Sequence, residues 1–297
     1  MANHYCNLLA QVDKLYRHNR QGSYKTRVRY YEAMLRFIHF LADVFRLERL
    51  ANIAPKHIYA YVVHLQERGK SASTIKTDLS AIRFFHDQIP NARYELPENR
   101  DLCLENRTFG DVDRTWSKEE FERMHALAIQ QGREDFVSVL LLGRYVGLRI
   151  HECFRIDTAA AVKAVKEKAL TIKGKGGFVR TVPLEGILTI RFQCHLKETP
   201  RGHKLFVADG QQTHEAIKAL QAFIWLYRPC VQDEGSERPL TFHGLRHTYA
   251  AEKYQDFIRA GKTPYEARKA VSKRLGHGRD DVTRIYLASL KGGEKDA

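Results

Sequence analysis

Apolar and polar positions in the first hundred residues recur at helical spacing. Residues 24–46 place apolar side chains three and four positions apart, which predicts an amphipathic helix with arginines outside its apolar stripe. A second predicted helix begins near Pro55 and stops at Gly69, since proline is favoured in the first turn and glycine just past the last. A third follows Ser73, a candidate N-cap, and ends before Pro90. The pattern predicts a compact helical bundle.

A polar segment with little periodicity follows this bundle. Residues 90–116 contain two prolines and several neighbouring charges, which is typical of an interdomain linker. We place the linker proper at residues 106–116, between a helical domain over 1–105 and a second domain over 117–297. The chain length is sufficient for two such domains.

Helical spacing resumes at once in the second domain. Ser117 and Glu120 have the spacing of a capping box, and residues 136–146 are so uniformly apolar that a helix there should be buried all round. Residues 168–184 instead alternate on either side of a GKGG turn, which predicts a β-hairpin. From residue 211 onward the pattern is helical again. The expected fold is mostly α with one small β-hairpin: an N-terminal helical bundle and an α+β second domain.

Charge and cysteine content narrow the possible partners and surroundings. The formal net charge is +14, and both residues 1–110 and the remainder of the chain are basic, which favours an acidic partner such as nucleic acid. A basic solvated surface would explain the charge equally well. The five cysteines form no C-x-x-C pair, which indicates free thiols in a reducing compartment. With neither a signal-peptide pattern nor an apolar run of about eighteen residues, the expected location is the cytoplasm.

Two arginines stand in local patterns that could bind phosphate. Arg149 lies three residues before Glu152, a spacing that would put both on one helix face, where the acid could orient the guanidinium. An ordinary helical ion pair has the same spacing. His243 and Arg246 are also three apart, so one helical face could present an imidazole and a guanidinium to a single phosphate. Each pair by itself is a weak signal.

Three further side chains are equally ambiguous when taken singly. Lys175, at the tip of the predicted hairpin, could donate a proton or be a solvated turn residue. The glycines around it lack the G-x-x-x-x-G-K-[ST] spacing of a phosphate loop, which disfavours nucleotide hydrolysis. His277 precedes Tyr286 by nine residues, and a tyrosine in an amphipathic stretch is usually a packing residue.

The order in which these pieces occur resembles the tyrosine recombinase, or phage integrase, family. Residues 147–152 (GLRIHE) resemble its first-arginine box, and residues 174–184 (GKGGFVRTVPL) resemble its lysine hairpin. Residues 243–248 (HGLRHT) resemble the His-x-x-Arg box, and residues 275–286 (LGHGRDDVTRIY) the terminal box with the nucleophile. The resemblance covers most of the chain, and the N-terminal bundle is similar in architecture to the family's core-binding domain.

Carried over position by position, the resemblance implies these roles: phosphate clamps at Arg149 and Arg246, proton-transfer groups at Lys175 and His243, a hydrogen-bond donor at His277, the nucleophile at Tyr286, and an acidic support for Arg149 at Glu152. It implies a site-specific recombinase of a mobile element that cuts and rejoins double-stranded DNA through a 3′-phosphotyrosine intermediate. It also implies a homo-tetramer on paired DNA sites and neither a metal nor a cofactor. Accessory proteins are left open.

Phosphoryl-transfer chemistry gives these side chains compatible roles. Charge that accumulates on the nonbridging oxygens can be stabilised by two fixed guanidiniums, without a metal. A phenol is mostly protonated at neutral pH and needs a base, for which His243 is the candidate. The departing 5′ oxygen needs a proton, which Lys175 could supply.

Other interpretations stay open at this point. A type IB topoisomerase uses related chemistry to relax DNA, and a catalytically silent DNA-binding accessory factor could retain the boxes. A metal site at His243, His247, His277 and Cys230 is disfavoured, since the spacing fits no common zinc pattern. Only eleven residues follow Tyr286, which is short for a helix that docks on a neighbouring protomer. A separate arm-binding domain ahead of residue 20 is not evident, which favours an Xer-like or Cre-like two-domain layout.

Overall fold

The chain divides into two compact units, each with its own apolar core. The computed structural model describes the following residues: 2–105, 112–174, 177–276, 283 and 285–290. The units comprise residues 1–108 and 109–297. Within the described part of the chain, no helix is both long enough and apolar enough to cross a membrane.

In its described residues, unit 1 is a bundle of four α-helices. Their bounds are α1 Ala2–His18, α2 Tyr24–Phe45, α3 Pro55–Glu67 and α4 Ala72–His86. The core lies where these helices face one another, and Phe37, Tyr61 and Phe85 are among its largest fully buried side chains. The helical pattern of the sequence therefore predicted α2, α3 and α4 correctly.

One helix start in unit 1 differs from the prediction. The N-cap of α4 is Ser71, whose Oγ accepts a hydrogen bond from the backbone N–H of Thr74 at 3.3 Å. Ser73, predicted as the cap, lies inside the first turn. A serine can cap a helix at either position. Because Ser71 is the cap, α4 begins two residues earlier than predicted, and the Thr74 N–H, which would otherwise lack a partner, is hydrogen-bonded.

The described part of unit 2 is helical around one two-stranded sheet. Its elements are α5 Lys118–Gln130, α6 Glu134–Val146, α7 Ile150–Cys153, α8 Thr158–Glu167, β1 Ala169–Lys173, β2 Val179–Pro183, α9 Ile187–Glu198, α10 Thr213–Val231, α11 Phe242–Arg259 and α12 Pro264–Leu275. Helix α6 is buried along nearly its whole length, as its apolar sequence predicts, and packs against α11. The strands are antiparallel, with Leu170 opposite Val182 and Ile172 opposite Arg180.

The details of unit 2 confirm most of the predicted local structure. Ser117 Oγ accepts from the Glu120 N–H at 3.0 Å, and Glu120 Oε2 accepts from the Ser117 N–H at 2.8 Å, which completes the capping box. The β-hairpin is present, although its predicted tip, Lys175 and Gly176, lies outside the described residues. Helix α10 runs on to Val231, two residues past Pro229. Proline removes a single backbone donor, and so close to the helix end this costs little.

Trp116 joins the core of unit 2 although it belongs to the predicted linker. The residue is 2% exposed. Its backbone N–H donates to Thr248 Oγ1 at 2.8 Å, and its indole N–H donates to the Thr241 carbonyl at 2.9 Å. These bonds fix the chain just before α5 against the beginning of α11.

Candidate active site

A sharp turn after α6 presents Arg149. Gly147 ends α6 in the left-handed region, with φ +68°, and a Cβ at this position would lie 2.4 Å from the Tyr249 ring. Glycine is therefore required both by the backbone conformation and by the close ring. Arg149 follows in extended conformation as the N-cap of the short helix α7. The prediction of one helix face shared by Arg149 and Glu152 was wrong, because Arg149 is extended and only Glu152 belongs to the helix.

Glu152 holds Arg149 from the first turn of α7. Its Oε2 accepts the Arg149 backbone N–H at 2.8 Å, and its Oε1 accepts from Arg149 Nη1 at 2.9 Å. Arg180 donates two further bonds to the same carboxylate, at 3.0 and 2.7 Å. Burial alone would raise the pKa of Glu152, but hydrogen bonds from Arg180 and from the Arg149 backbone outweigh it and hold the pKa at about 2. Glu152 is therefore an anion at neutral pH.

Arg246 connects three segments of the chain from the middle of unit 2. This residue of α11 is fully buried. Its Nη1 donates to the carbonyl of Gly147, and its Nη2 donates to the carbonyl of Leu275 at 2.5 Å. Burial lowers the pKa of Arg246 to about 10, so the guanidinium remains charged at neutral pH. The guanidinium thus joins the turn before Arg149 to the end of α12.

Tyr286 lies against the guanidinium and against two imidazole rings. Its side chain is 5% exposed, and its ring centroid is 5.5 Å from the Cζ atom of Arg246. Ring centroids are 4.5 Å apart for Tyr286 and His247 and 5.5 Å apart for Tyr286 and His243. Tyr286 is therefore buried beside Arg246, rather than remote from it.

His243 is at the open edge of the same cluster. Although much of the residue is exposed, close packing around the imidazole and the positive charges of Arg246, Arg149 and Arg114 lower the pKa of His243 to about 4. The ring is therefore neutral at pH 7. A cavity of about 330 Å³ lies beside it, lined by Arg149, His243 and Trp225 among others.

The structure thus brings together five of the seven side chains proposed from the sequence. The members of the cluster are Arg149, Glu152, His243, Arg246 and Tyr286. Lys175 and His277 lie outside the described residues. Within the described ranges no group of three or more histidine, cysteine or acidic side chains could hold a metal ion.

Three side chains near the cluster are not among the seven proposed from the sequence. Arg180 is bonded to Glu152, and His247 packs on Tyr286. Arg114 is one of the cations that lower the pKa of His243 and of His247. The inward alternation of β2 could have indicated Arg180, and adjacency to Arg246 could have indicated His247. We find no sequence signal for Arg114.

The burial of His247 predicts a pH-dependent stability. Burial and the neighbouring His243, Arg114 and Arg246 lower the pKa of His247 from 6.5 to about 3. The unfolded chain therefore binds this proton first, so the stability contribution is complete above pH 6.5 and is lost as the pH falls towards 3. His247→Phe should reduce the loss of unfolding free energy between pH 7 and pH 4.5 by about 2 kcal/mol, measured by urea denaturation.

His214→Phe is the matched control for this measurement, because His214 is an exposed histidine of the same unit. The control should leave the loss of stability between the two pH values unchanged. If His247→Phe also left it unchanged, the neutral burial of His247 would be contradicted.

Both units of the chain match models of known protein families. The family model "Phage integrase, N-terminal SAM-like domain" matches residues 12–89, and the model "Phage integrase family" matches residues 114–292. A tyrosine recombinase XerD of Halalkalibacterium halodurans is 23% identical over 284 residues, covering 88% of this chain and 85% of the relative.

Solved structures show the same fold. A lambda integrase dimer bound to a core site has a TM-score of 0.66 at 17% identity, with 94% of each chain covered. A lambda integrase tetramer bound to a Holliday junction has a TM-score of 0.64 at 18% identity, covering 93% of this chain and 76% of that one. The chain belongs to the phage integrase family, that is, to the tyrosine recombinases.

Proposed function

We propose that this tyrosine recombinase breaks double-stranded DNA at a specific site through attack of the Tyr286 oxygen on a backbone phosphorus atom. A bond forms between that oxygen and phosphorus, the bond from phosphorus to the 5′ oxygen breaks, and a 3′-phosphotyrosine link results. The observation that carries the proposal is the meeting of Arg149, His243, Arg246 and Tyr286, from three distant segments, at one cluster.

The two arginines are suited to stabilise the transition state. Phosphoryl transfer places negative charge on the nonbridging oxygens, where fixed cations act most strongly in a partly dry site. Arg246 is held by two backbone carbonyls and needs no reorganisation at the moment of reaction. Arg149 retains 20% side-chain exposure and lines the cavity beside His243, so a phosphate can approach it.

His243 is suited to accept the phenolic proton. With a pKa of about 4 it is neutral at physiological pH and has a lone pair available. A bound phosphate brings negative charge close to the ring and strengthens it as a base. In the reverse step a DNA 5′-hydroxyl attacks the phosphotyrosine, the bond between phosphorus and the Tyr286 oxygen breaks, and the tyrosine regains its proton. The phosphate bond energy is kept, so no nucleotide cofactor is required.

Two further roles in the proposal, those of Lys175 and His277, rest on the sequence alone. Lys175 would give a proton to the departing 5′ oxygen, and His277 would donate a hydrogen bond to a nonbridging oxygen. Both assignments rest on the family boxes that contain these residues.

Replacement of Lys175 should be tolerated when the leaving group needs no proton. We expect Lys175→Ala to slow single-turnover cleavage of an ordinary phosphodiester about a hundredfold or more, the scale of losing a general acid. Cleavage of a 5′-bridging phosphorothiolate should slow far less, because a thiolate departs unprotonated. A loss of equal size on both substrates would reject the acid role of Lys175.

The covalent intermediate provides the direct test of the proposed function. The protein should be incubated with a nicked substrate from which the short fragment that carries the released 5′-hydroxyl diffuses away. The adduct should then be digested and mapped by mass spectrometry. We expect the DNA-linked peptide to carry the modification on Tyr286. A link to another residue would reject the assignment, and relaxation of supercoiled DNA by the monomer without recombinant product would favour a type IB topoisomerase.

The proposed partner is double-stranded DNA, bound by both units. The lambda integrase structures contain DNA, and the net charge of +14 suits a polyanion. We propose that the predicted domain over 1–105 binds DNA beside the cleavage site and that four copies assemble on paired sites, as in the lambda integrase tetramer. The cytoplasm is the proposed location, since the substrate is DNA and the five cysteines are all free.

A further inference from the structure

The carboxylate of Glu152 is shared between two guanidiniums. Arg149 uses its backbone N–H and Nη1, whereas Arg180 uses both terminal nitrogens of its side chain. The Glu152 side chain is 1% exposed and that of Arg180 is 4% exposed, so water does little to screen this pair. Arg149, in contrast, is 20% exposed. Arg180 is therefore buried against Glu152, whereas Arg149 is open enough to contact a substrate as well.

The charges explain why two arginines are needed. A buried carboxylate paired with Arg149 alone would act on that guanidinium with its full charge and would compete with a DNA phosphate for it. Arg180 supplies a second positive charge and a two-pronged hydrogen-bonding geometry. With Arg180 present, Glu152 can orient Arg149 while Arg180 balances most of the negative charge of Glu152.

The fold keeps Arg180 in one place. It lies on β2, opposite Ile172 of β1. A Cβ on Gly276 would be 3.1 Å from Arg180 Cδ, so the end of α12 packs directly on its side chain. The neighbouring residue, Leu275, provides the carbonyl that holds Arg246. Arg180 therefore lies where three parts of unit 2 meet: the β-hairpin, the turn that presents Arg149, and the end of α12, whose Leu275 carbonyl holds Arg246.

We propose that Arg180 is a positioning residue of this recombinase: it balances the charge of Glu152, so that Glu152 orients Arg149 toward the scissile phosphate without competing for it. The inference rests on the proposed role of Arg149 as a phosphate clamp. Arg180 itself touches Glu152 and acts on the DNA only through Arg149.

Substrates that differ in charge at the scissile position test this role. The probes are two nicked half-sites of the same sequence, one with an ordinary phosphate and one with a methylphosphonate, which carries no negative nonbridging oxygen. A methylphosphonate depends less on cationic stabilisation. We expect Arg180→Met to slow single-turnover cleavage of the phosphate about tenfold or more and of the methylphosphonate less than about threefold. Arg149→Ala should show the same selective loss, larger in size.

Arg144→Met is the matched control. Arg144 also makes a bidentate bond to a glutamate, Glu252, at 2.5 and 2.6 Å, and its side chain is 9% exposed. It joins α6 to α11 and is not bonded to Glu152. Rates are compared per folded molecule, so that a loss of stability does not count as a loss of chemistry. The control should change cleavage of both substrates by the same factor. An equal loss on both substrates in Arg180→Met would overturn the proposal.

A second variant tests the balance of charge. Adding Glu152→Gln to Arg180→Met removes the competing carboxylate together with its counterion, and should restore the ratio of phosphate to methylphosphonate cleavage to within about threefold of the parent protein. A ratio that stays low would overturn the charge-balancing role. If Arg180→Met does not fold, Arg180→Lys takes its place. Lysine keeps the charge and loses the bidentate geometry, so Arg180→Lys should also slow phosphate cleavage more than methylphosphonate cleavage, by a smaller factor. An equal loss on both substrates would again contradict the proposal.

The outcomes for Arg149 and Arg180 separate the two proposals. If Arg149→Ala shows no phosphate-selective loss, the clamp role of Arg149 fails and the role of Arg180 fails with it. If Arg149→Ala shows that loss and neither Arg180 variant does, only the role of Arg180 fails.

Discussion

Tyr286→Phe should bind DNA with near-parent affinity and form no detectable covalent protein–DNA adduct. The substitution removes one oxygen atom and keeps the ring that packs against His247 and beside Arg246. The fold and the charges that bind DNA are therefore retained. Loss of a nucleophile should lower the cleavage rate by at least about a thousandfold. The measurements are a DNA-binding titration and a denaturing gel that resolves adducts on a nicked substrate.

Tyr249→Phe is the matched control for this variant. Tyr249 is 4% exposed and belongs to the same buried cluster as Tyr286. Removing its hydroxyl should leave adduct formation within about threefold of the parent rate, because the Tyr249 hydroxyl has no role in the proposed chemistry. Undiminished adducts in Tyr286→Phe would show that another group attacks the phosphate, and the nucleophile assignment would then be wrong.

Strong periodicity made much of the fold predictable. Helices α2 and α3 and the hairpin have apolar stripes or alternation that few other structures produce. Helix α8 gives a weaker signal, because it reaches the core through Ala161 and Ala164, and alanine says little about burial. Helix α9 also gives a weak signal, because Leu188 and Phe192 are the only residues of this helix that are buried.

The candidate site was predictable in its side chains and not in its backbone. The sequence identifies Arg149, His243, Arg246 and Tyr286 by type and order, and the structure places them together. It does not reveal that the carbonyls of Gly147 and Leu275 hold Arg246, since every residue carries the same acceptor and only the fold selects two of them.

Buried charges were the other feature that sequence reasoning underestimated. Arg180 alternates with Thr181 in β2, and the buried pattern of that strand puts Arg180 on the same inner face as Val182. A charged residue at an inward position needs a partner. Its partner, Glu152, is 28 positions away along the chain, and only the three-dimensional structure identifies that pair.

Arg246→Lys should be both less stable and far less active than the parent protein. The guanidinium serves two carbonyls on separate segments, and a lysine ammonium is a compact point charge that cannot reproduce this fork. Because the site is fully buried, an unsatisfied carbonyl or a displaced charge should cost about 1–3 kcal/mol of unfolding free energy. Cleavage should slow about a hundredfold or more, as expected for loss of a fixed transition-state donor.

The two losses can be separated by comparison with Arg259→Lys. Arg259 is at the exposed end of the same helix, α11, so its replacement should change neither stability nor cleavage. Cleavage by Arg246→Lys should be measured by single turnover at a temperature where urea denaturation shows both proteins folded. A slow reaction under those conditions places the defect in the chemistry. If the folded variant instead cleaves at the parent rate, the guanidinium acts only as a link between the Arg149 turn and α12, and a different cation must neutralise the phosphate.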